Sequence, residues 1–222
     1  LKAENGVYTL KAEETYSYVA VKAGYVTKKD TISVTEDTEK TITMEKAPES
    51  TRKDVSAAWK NFRNSDDNMG ITSAKTPTSE ATTYEKWFKK LGSGWGAAPS
   101  VQIIVDNSLI VMSANHIYKL DLNTGDILQT GDMVAATNFG YTPPTYADGM
   151  IFAPLADGRV QAFNAETLES LWVYQDTLKG QSLSPITYSD GYIYTGFWNA
   201  ETKDANYVCI PVTDEDPTNA QE

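Results

Sequence analysis

The chain has 222 residues, of which 41% are hydrophobic and 22% charged, a composition typical of a folded globular protein. Its formal net charge is −11, and residues 101–222 carry four basic against sixteen acidic side chains. This acidity disfavours binding to nucleic acid and to anionic membrane surfaces. An acidic surface also keeps a protein soluble. Cys209 is the single cysteine, which excludes an internal disulfide, and the lack of a long apolar run predicts no membrane insertion in this segment.

The first 47 residues predict a small β module. Apolar and polar side chains alternate there over several short stretches, which is typical of strands with one buried face. The alternating positions that we assign to strands are Tyr16, Tyr18, Ala20, Ile32, Val34, Ile42 and Met44. Residues 48–56 are rich in charged and small polar side chains without an apolar period, so we expect a linker there and a second domain over 57–222.

The second domain contains a turn that recurs every 42 residues. It reads Asp106-Asn107, then Asp148-Gly149, then Asp190-Gly191. Such pairs favour two-residue hairpin turns because both central residues need a positive φ. A period of this size is typical of four-stranded repeats. The sequence therefore predicts an all-β protein with about three four-stranded blades of an incomplete β-propeller.

A second turn follows within each repeat. It is Ala114-Asn115 in the first copy, Asp157-Gly158 in the second, and a longer loop from Asn199 to Asn206 in the third. Insertions of this kind are tolerated at loop tips, where the backbone is solvated.

A third turn precedes the last strand of each repeat. Residues 121–125 form it in the first copy and residues 164–168 in the second. Gln129 and Trp172 each lie four residues beyond such a turn, and Trp87 lies 42 residues before Gln129. The three residues therefore share one repeat position. An aromatic side chain there would pack the last strand of a blade against its neighbour. Two positions depart from the pattern, because Gln129 replaces a Trp and Leu168 replaces the Gly of the turn.

These motifs make the chain resemble the quinoprotein-type (PQQ-like) β-propellers over residues 57–213. The resemblance rests on a strand that ends in Leu-Asp or Phe-Asn, a following Thr-Gly turn, a Trp four residues later, and an entry strand at Trp59–Asn64. It implies a propeller that serves dehydrogenases, assembly scaffolds or surface proteins. Because a ring has four to eight blades, we expect the remaining blades of the same protein to lie outside this chain.

The amino-terminal module is similar to carboxypeptidase-regulatory-like or PEGA-like domains. The similarity is carried by residues 6–10 and 18–25, which read Gly-Val-Tyr-Thr-Leu and Tyr-Val-Ala-Val-Lys-Ala-Gly-Tyr. It implies a spacer in a secreted or cell-surface bacterial protein, and hence an extracellular or cell-surface location.

We expect no catalytic residue, no metal site and no cofactor. The quinoprotein resemblance implies Ca²⁺ held by Glu, Asn and Asp beside the quinone, and no residues of this sequence match that set. His116 is the single histidine and has no Gly-x-Ser-x-Gly elbow to accompany it. Asp121, Asn123 and Gly125 suggest a calcium loop, but the Gly and the lack of a closing Glu favour a turn.

The remaining candidates are aromatic residues suited to a binding surface. They cluster around the loop of the third copy and beside the pair of prolines at 143–144, and they are Trp198, Tyr192, Tyr194, Tyr207 and Tyr141. Aromatic side chains bury a large area at low entropic cost, so we expect a non-catalytic scaffold that binds a protein or a carbohydrate. Two alternatives stay open: these aromatics fill the inter-blade core, or the protein is a degenerate quinoprotein-like enzyme or sensor whose site lies in other blades.

Overall fold

The computed structural model describes residues 7–20, 22, 24–47, 52–137, 142–200 and 203–213. In the amino-terminal region, β1 (Glu14–Ala20) and β2 (Lys28–Val34) form an antiparallel two-stranded sheet. The strand predicted around Ile42 and Met44 is wrong, because residues 38–45 form none. Ile42 is 38% exposed, so its alternation does not correspond to a buried sheet face.

Residues 57–213 form three consecutive antiparallel sheets, which we call blades 1 to 3. Blade 1 contains β3 (Ala57–Trp59), β4 (Ile103–Val105), β5 (Ser108–Ser113), β6 (His116–Asp121) and β7 (Ile127–Asp132). Blade 2 contains β8 (Thr145–Ala147), β9 (Met150–Leu155), β10 (Arg159–Asn164) and β11 (Ser170–Gln175). Blade 3 contains β12 (Thr187–Ser189), β13 (Tyr192–Gly196) and β14 (Tyr207–Pro211). The all-β, incomplete propeller predicted from the repeat is therefore confirmed.

The repeated turns join β4 to β5, β8 to β9 and β12 to β13. Asp106 and Asn107 have φ values of 48° and 55°, and the pairs at 148–149 and 190–191 are likewise positive. In the next turn of the blade, Ala114, Asp157 and Gly158 also have positive φ. The local chemistry of Asp, Asn and Gly thus sets the register of each hairpin.

Blade 2 buries its two faces against different neighbours. We call the face toward the following blade the trailing face and the face toward the preceding blade the leading face. One core cluster joins the trailing face of blade 1 to the leading face of blade 2 through Ile110, Met112, Ile117, Ile151, Ala153 and Phe163. A second cluster joins blade 2 to blade 3 through Met150, Phe152, Val160, Trp172, Ile193 and Ile210.

The segment between β3 and β4 crosses blade 1 without joining its sheet. Residues 83–94 form no strand, so the strand predicted around Trp87 is absent. The side chain of Trp87 nevertheless covers the turn after β6, where its indole N–H donates a 3.1 Å hydrogen bond to the carbonyl of Leu122. Across the described ranges, no helix is long and apolar enough to cross a membrane.

Candidate functional site

The aromatic residues predicted as a binding surface lie mainly on the trailing face of blade 3. Tyr192 and Tyr194 alternate along β13, and the cross-strand partner of Tyr194 on β14 is Cys209. Tyr207 stands opposite Gly196 and is 73% exposed. A hydrogen bond with the Cys209 thiol raises the pKa of Tyr194. The third copy thus presents several tyrosines on one open sheet face.

The corresponding face of blade 2 is completely covered. Met150 and Phe152 precede Tyr192 and Tyr194 by 42 residues and are fully buried against blade 3. The tyrosines of blade 3 therefore occupy positions that serve as inter-blade core one repeat earlier. The binding role and the core-filling alternative both use this sheet face, so the alternation of β13 fits either role.

Trp198 lies just beyond β13, at the edge of the propeller that carries the long loop of the third copy. Its backbone pairs with Gln181 through two hydrogen bonds of 2.6 and 2.9 Å, which fix its position. Phe197 is buried and stacks on Tyr174, whereas Trp198 is 46% exposed. Tyr141, the remaining predicted site residue, lies outside the described residues.

A polar pocket of about 360 Å³, which the sequence did not indicate, lies near the inner strands of blades 1 and 2. The hydroxyl of Tyr146 donates a 2.5 Å hydrogen bond to the carboxylate of Asp54 and accepts one of 2.8 Å from the backbone N–H of Val55. Burial, reinforced by Asp54, raises the pKa of Tyr146 to about 12. Burial also raises the pKa of Asp148, while Arg52 acts in the opposite direction. The predicted linker therefore contributes side chains to this pocket.

The Tyr146 contact predicts an alkaline dependence of stability. Because the pKa of Tyr146 is about 12 in the folded protein and about 10 in the unfolded chain, the contribution of neutral Tyr146 is complete below pH 10 and is lost as the pH rises towards 12. Urea unfolding midpoints at pH 8 and pH 11 test this. Tyr146→Phe should be less stable at pH 8 and should lose less stability on the way to pH 11. The control Tyr207→Phe should lose as much stability between pH 8 and pH 11 as the unsubstituted chain. An equally steep loss in Tyr146→Phe would contradict the role assigned to the Tyr146 hydroxyl.

Two neighbouring packing contacts, which we call seams, differ at the repeat position of Trp87. The first seam lies between residues 83–94 and blade 1, and the second lies between blades 1 and 2. In the first seam, the Trp87 ring lies against Gly125, where an added Cβ would approach the ring to 2.4 Å. The turn itself is held by the Asp121 carboxylate, which accepts hydrogen bonds of 2.7 and 2.9 Å from the backbone N–H groups of Asn123 and Thr124. These backbone bonds lower the pKa of Asp121. Asp121 thus acts as a turn cap in this structure.

The second seam uses other side chains at both partner positions. Gln129 stands where Trp87 stands one repeat earlier, and Leu168 stands where Gly125 stands, with a φ of 57° and a buried side chain. Lys119 is only 7% exposed, and its ammonium lies 3.4 Å from the carbonyl of Ala165. That carbonyl corresponds to the Leu122 carbonyl that Trp87 uses. The Asp106 carboxylate, 3.8 Å from the Lys119 ammonium, balances its charge.

A groove of about 440 Å³ lies along this seam, with Gln129 in its lining. Its walls come from blade 1 and the turn after β10, and its lining residues are Asp106, Asn107, Ser108, Lys119, Asp121, Leu128, Gln129 and Glu166. The described residues contain no group of three His, Cys, Asp or Glu side chains that could hold a metal ion. The imidazole of His116, the single histidine, lies 3.0 Å from the Asp132 carboxylate on β7.

Known proteins share this fold. A family model described as outer membrane protein assembly factor BamB matches residues 79–199, whereas no curated protein matches the chain. Among solved structures, quinohemoprotein alcohol dehydrogenase ADHIIG from Pseudomonas putida HK5 aligns with 71% of this chain at 16% identity and a TM-score of 0.57, and the match covers 25% of the dehydrogenase. BamB from Moraxella catarrhalis aligns with 50% of this chain at 21% identity and a TM-score of 0.39, over 36% of its own length.

The family model covers more than half of the chain, and the blades, turns and seams that it spans have the propeller geometry described above. At 16% identity the likeness to the dehydrogenase shows the fold alone. The chain therefore belongs to the PQQ-like family described as outer membrane protein assembly factor BamB.

Proposed function

We propose that the chain is a non-catalytic scaffold propeller that binds a protein partner. The observation that carries the proposal is the family match over residues 79–199, because the family description names an assembly factor. The exposed Trp198, held in place by its backbone bonds to Gln181, provides a rigid aromatic anchor of the kind that dominates protein interfaces.

The proposed contact surface is the propeller edge that carries the loop from Asn199 to Asn206. Trp198 lies at this edge, and the Tyr207 side chain on the neighbouring β14 is also exposed. A carbohydrate would use similar aromatic side chains, but the family description favours a protein partner.

We further propose that the protein acts in the bacterial cell envelope or at the cell surface, and that residues 7–47 serve as a spacer. The envelope location follows the outer membrane named in the family description. The spacer role is supported by the β1–β2 hairpin, which lies outside the three blades and pairs only with itself among the described strands. The resemblance of residues 6–10 and 18–25 to carboxypeptidase-regulatory-like modules points the same way.

A photo-crosslinking amino acid at position 198 tests the binding surface in cells. The matched control carries the same amino acid at Asn123, an exposed residue of the turn after β6, at the opposite end of the strands. We expect a discrete protein adduct from position 198 and none from position 123. Equal adducts from both positions, no adduct from position 198, or an adduct that a glycosidase removes would each overturn the proposal.

A further inference from the structure

We propose that the groove along the second seam binds a neutral saccharide, one hydroxyl of which bridges the side chains of Lys119 and Gln129. We call this groove the seam groove. Its volume of about 440 Å³ lies within the range of about 300–1,000 Å³ that is typical of small-molecule sites. Its lining comes from blades 1 and 2 alone, so the site is built entirely from described strands and turns.

Gln129 brings a buried acceptor to the seam groove. Its amide oxygen is buried and accepts no hydrogen bond from any described residue. An unpaired acceptor away from water costs free energy, because the group has lost its hydration without gaining a donor. A hydroxyl group bound in the groove supplies the donor that this oxygen lacks.

Lys119 brings a buried donor to the same place. It is directly opposite Gln129 across β6 and β7, and it is only 7% exposed. Its ammonium donates to the carbonyl of Ala165 at 3.4 Å, whereas the Asp106 carboxylate, at 3.8 Å, balances the charge from beyond hydrogen-bonding distance. Because an ammonium has three N–H donors, these described partners leave donor capacity for a ligand.

A hydroxyl fits this pair because it accepts and donates at once. Directly opposed residues of antiparallel strands have Cβ atoms about 4.5–5.5 Å apart, so one small group can contact both side chains. The hydroxyl oxygen accepts from the Lys119 ammonium, and its hydrogen is donated to the Gln129 amide oxygen. A sugar ring carries several such groups, which sets it apart from ligands that only donate or only accept.

The equivalent pair of blade 2 shows that the repeat does not require polar side chains here. Ala162 and Trp172 are directly opposed in that blade and are buried against blade 3. An apolar pair therefore closes the later contact by packing, whereas Lys119 and Gln129 keep polar atoms along the seam groove. The polar pair is a particular property of the second seam.

The charges of the lining favour a neutral ligand. Asp106, Asp121 and Glu166 place three carboxylates around the one ammonium of Lys119. The carboxylates repel uronates and sugar phosphates, and the buried ammonium disfavours a cation because buried charges are weakly screened. The hydroxyls of a neutral sugar can donate to the carboxylates, and Leu128, which is 52% exposed, offers an apolar surface to the C–H groups of the ring.

The seam groove is separate from the surface proposed for a protein partner. Its turns follow β4, β6 and β10, at the end of the strands opposite the edge beyond β13 where Trp198 lies. A saccharide and a protein can therefore bind at the same time. Loss of one binding activity leaves the other unchanged, so the two proposals fail independently.

The test is a heteronuclear NMR titration of the full chain with maltotriose and with cellotriose. Gln129→Leu keeps the size of the side chain and removes the amide oxygen. The matched control is Gln175→Leu, which changes an exposed glutamine on β11 outside the seam groove. A second variant, Gln129→Trp, introduces the residue found at the two equivalent repeat positions and fills the groove. Circular dichroism verifies the fold of each variant.

We expect at least one of the two sugars to shift the side-chain amide resonances of Gln129. Gln129→Leu should weaken binding about three- to tenfold, which corresponds to one hydrogen bond. Gln129→Trp should abolish binding, and Gln175→Leu should leave it unchanged. Binding of neither sugar would overturn the proposal, as would equal weakening by the two Gln→Leu changes. Equal or tighter binding of trigalacturonate or of trilysine, titrated in parallel, would overturn the neutral saccharide as the ligand.

Discussion

Replacing Phe152 with alanine is expected to lower the free energy of unfolding by about 3–5 kcal/mol. Phe152 is fully buried between blades 2 and 3, where its ring lies 5.8 Å from that of Trp172. Truncation removes apolar burial and leaves a cavity that the two paired sheets cannot collapse to fill. Urea denaturation followed by circular dichroism measures the change.

The control for this substitution is Phe152→Leu, which keeps an apolar side chain of similar volume. Volume-conserving changes in a core cost less than about 1.5 kcal/mol. A loss below about 1 kcal/mol for Phe152→Ala would lie far outside the range for a buried phenylalanine. Such a result would mean that blades 2 and 3 do not pack as described.

The second large effect is expected at Gly125. A Cβ at this position would lie 2.4 Å from the Trp87 ring, and the residue has a φ of 73°. Gly125→Ala therefore combines about 1–2 kcal/mol of backbone strain with about 1–3 kcal/mol of overpacking. The free energy of unfolding and the fluorescence of the Trp87 indole should change together.

Gly24 offers a matched control because it is a turn glycine with nearly the same φ, 75°, and no atom lies within 4 Å of an added Cβ. Gly24→Ala should show the backbone strain alone, about 1–2 kcal/mol. Equal losses at the two glycines would contradict the contact between Trp87 and the turn after β6.

The features that local chemistry decides are visible in the sequence. The turns at 106–107, 148–149 and 190–191 need residues that tolerate positive φ, and the sequence has Asp, Asn and Gly there at one spacing. Strand alternation around those turns is set by the two faces that each blade buries. Blade number, turn positions and hairpin register therefore follow from nearest-neighbour patterns.

Features that depend on distant partners are not visible in the sequence. The segment around Ile42 alternates like a strand, but residues 38–45 form none, and Lys28 of β2 reaches them through its side chain, which donates to the carbonyl of Thr43. The Asp54–Tyr146 hydrogen bond joins residues 92 positions apart, one of them in a predicted linker. Lys119 has the sequence context of an exposed strand residue, and its burial is explained by the carbonyl of Ala165 in the next blade and by the Asp106 carboxylate.

The second seam, between blades 1 and 2, shows how the repeat tolerates change. Gln129 and Leu168 are conspicuous in the sequence because each departs from its repeat position. Lys119 reaches the carbonyl of Ala165, which corresponds to the Leu122 carbonyl that the Trp87 indole uses one repeat earlier. This link between the altered positions is visible only in the packed blades. The sequence identified the altered positions, and the structure identifies them as parts of one seam.

The measurement that tests the arrangement of blades most directly is the free energy of unfolding of Tyr194→Ala. Tyr194 is the repeat equivalent of Phe152, but it lies on the trailing face of blade 3, where the described residues bury it only in part. Surface substitutions usually change stability by less than about 0.5 kcal/mol, and a half-buried ring by not much more. The account predicts a loss below about 1 kcal/mol for Tyr194→Ala, against about 3–5 kcal/mol for Phe152→Ala. Equal losses would contradict an open blade 3.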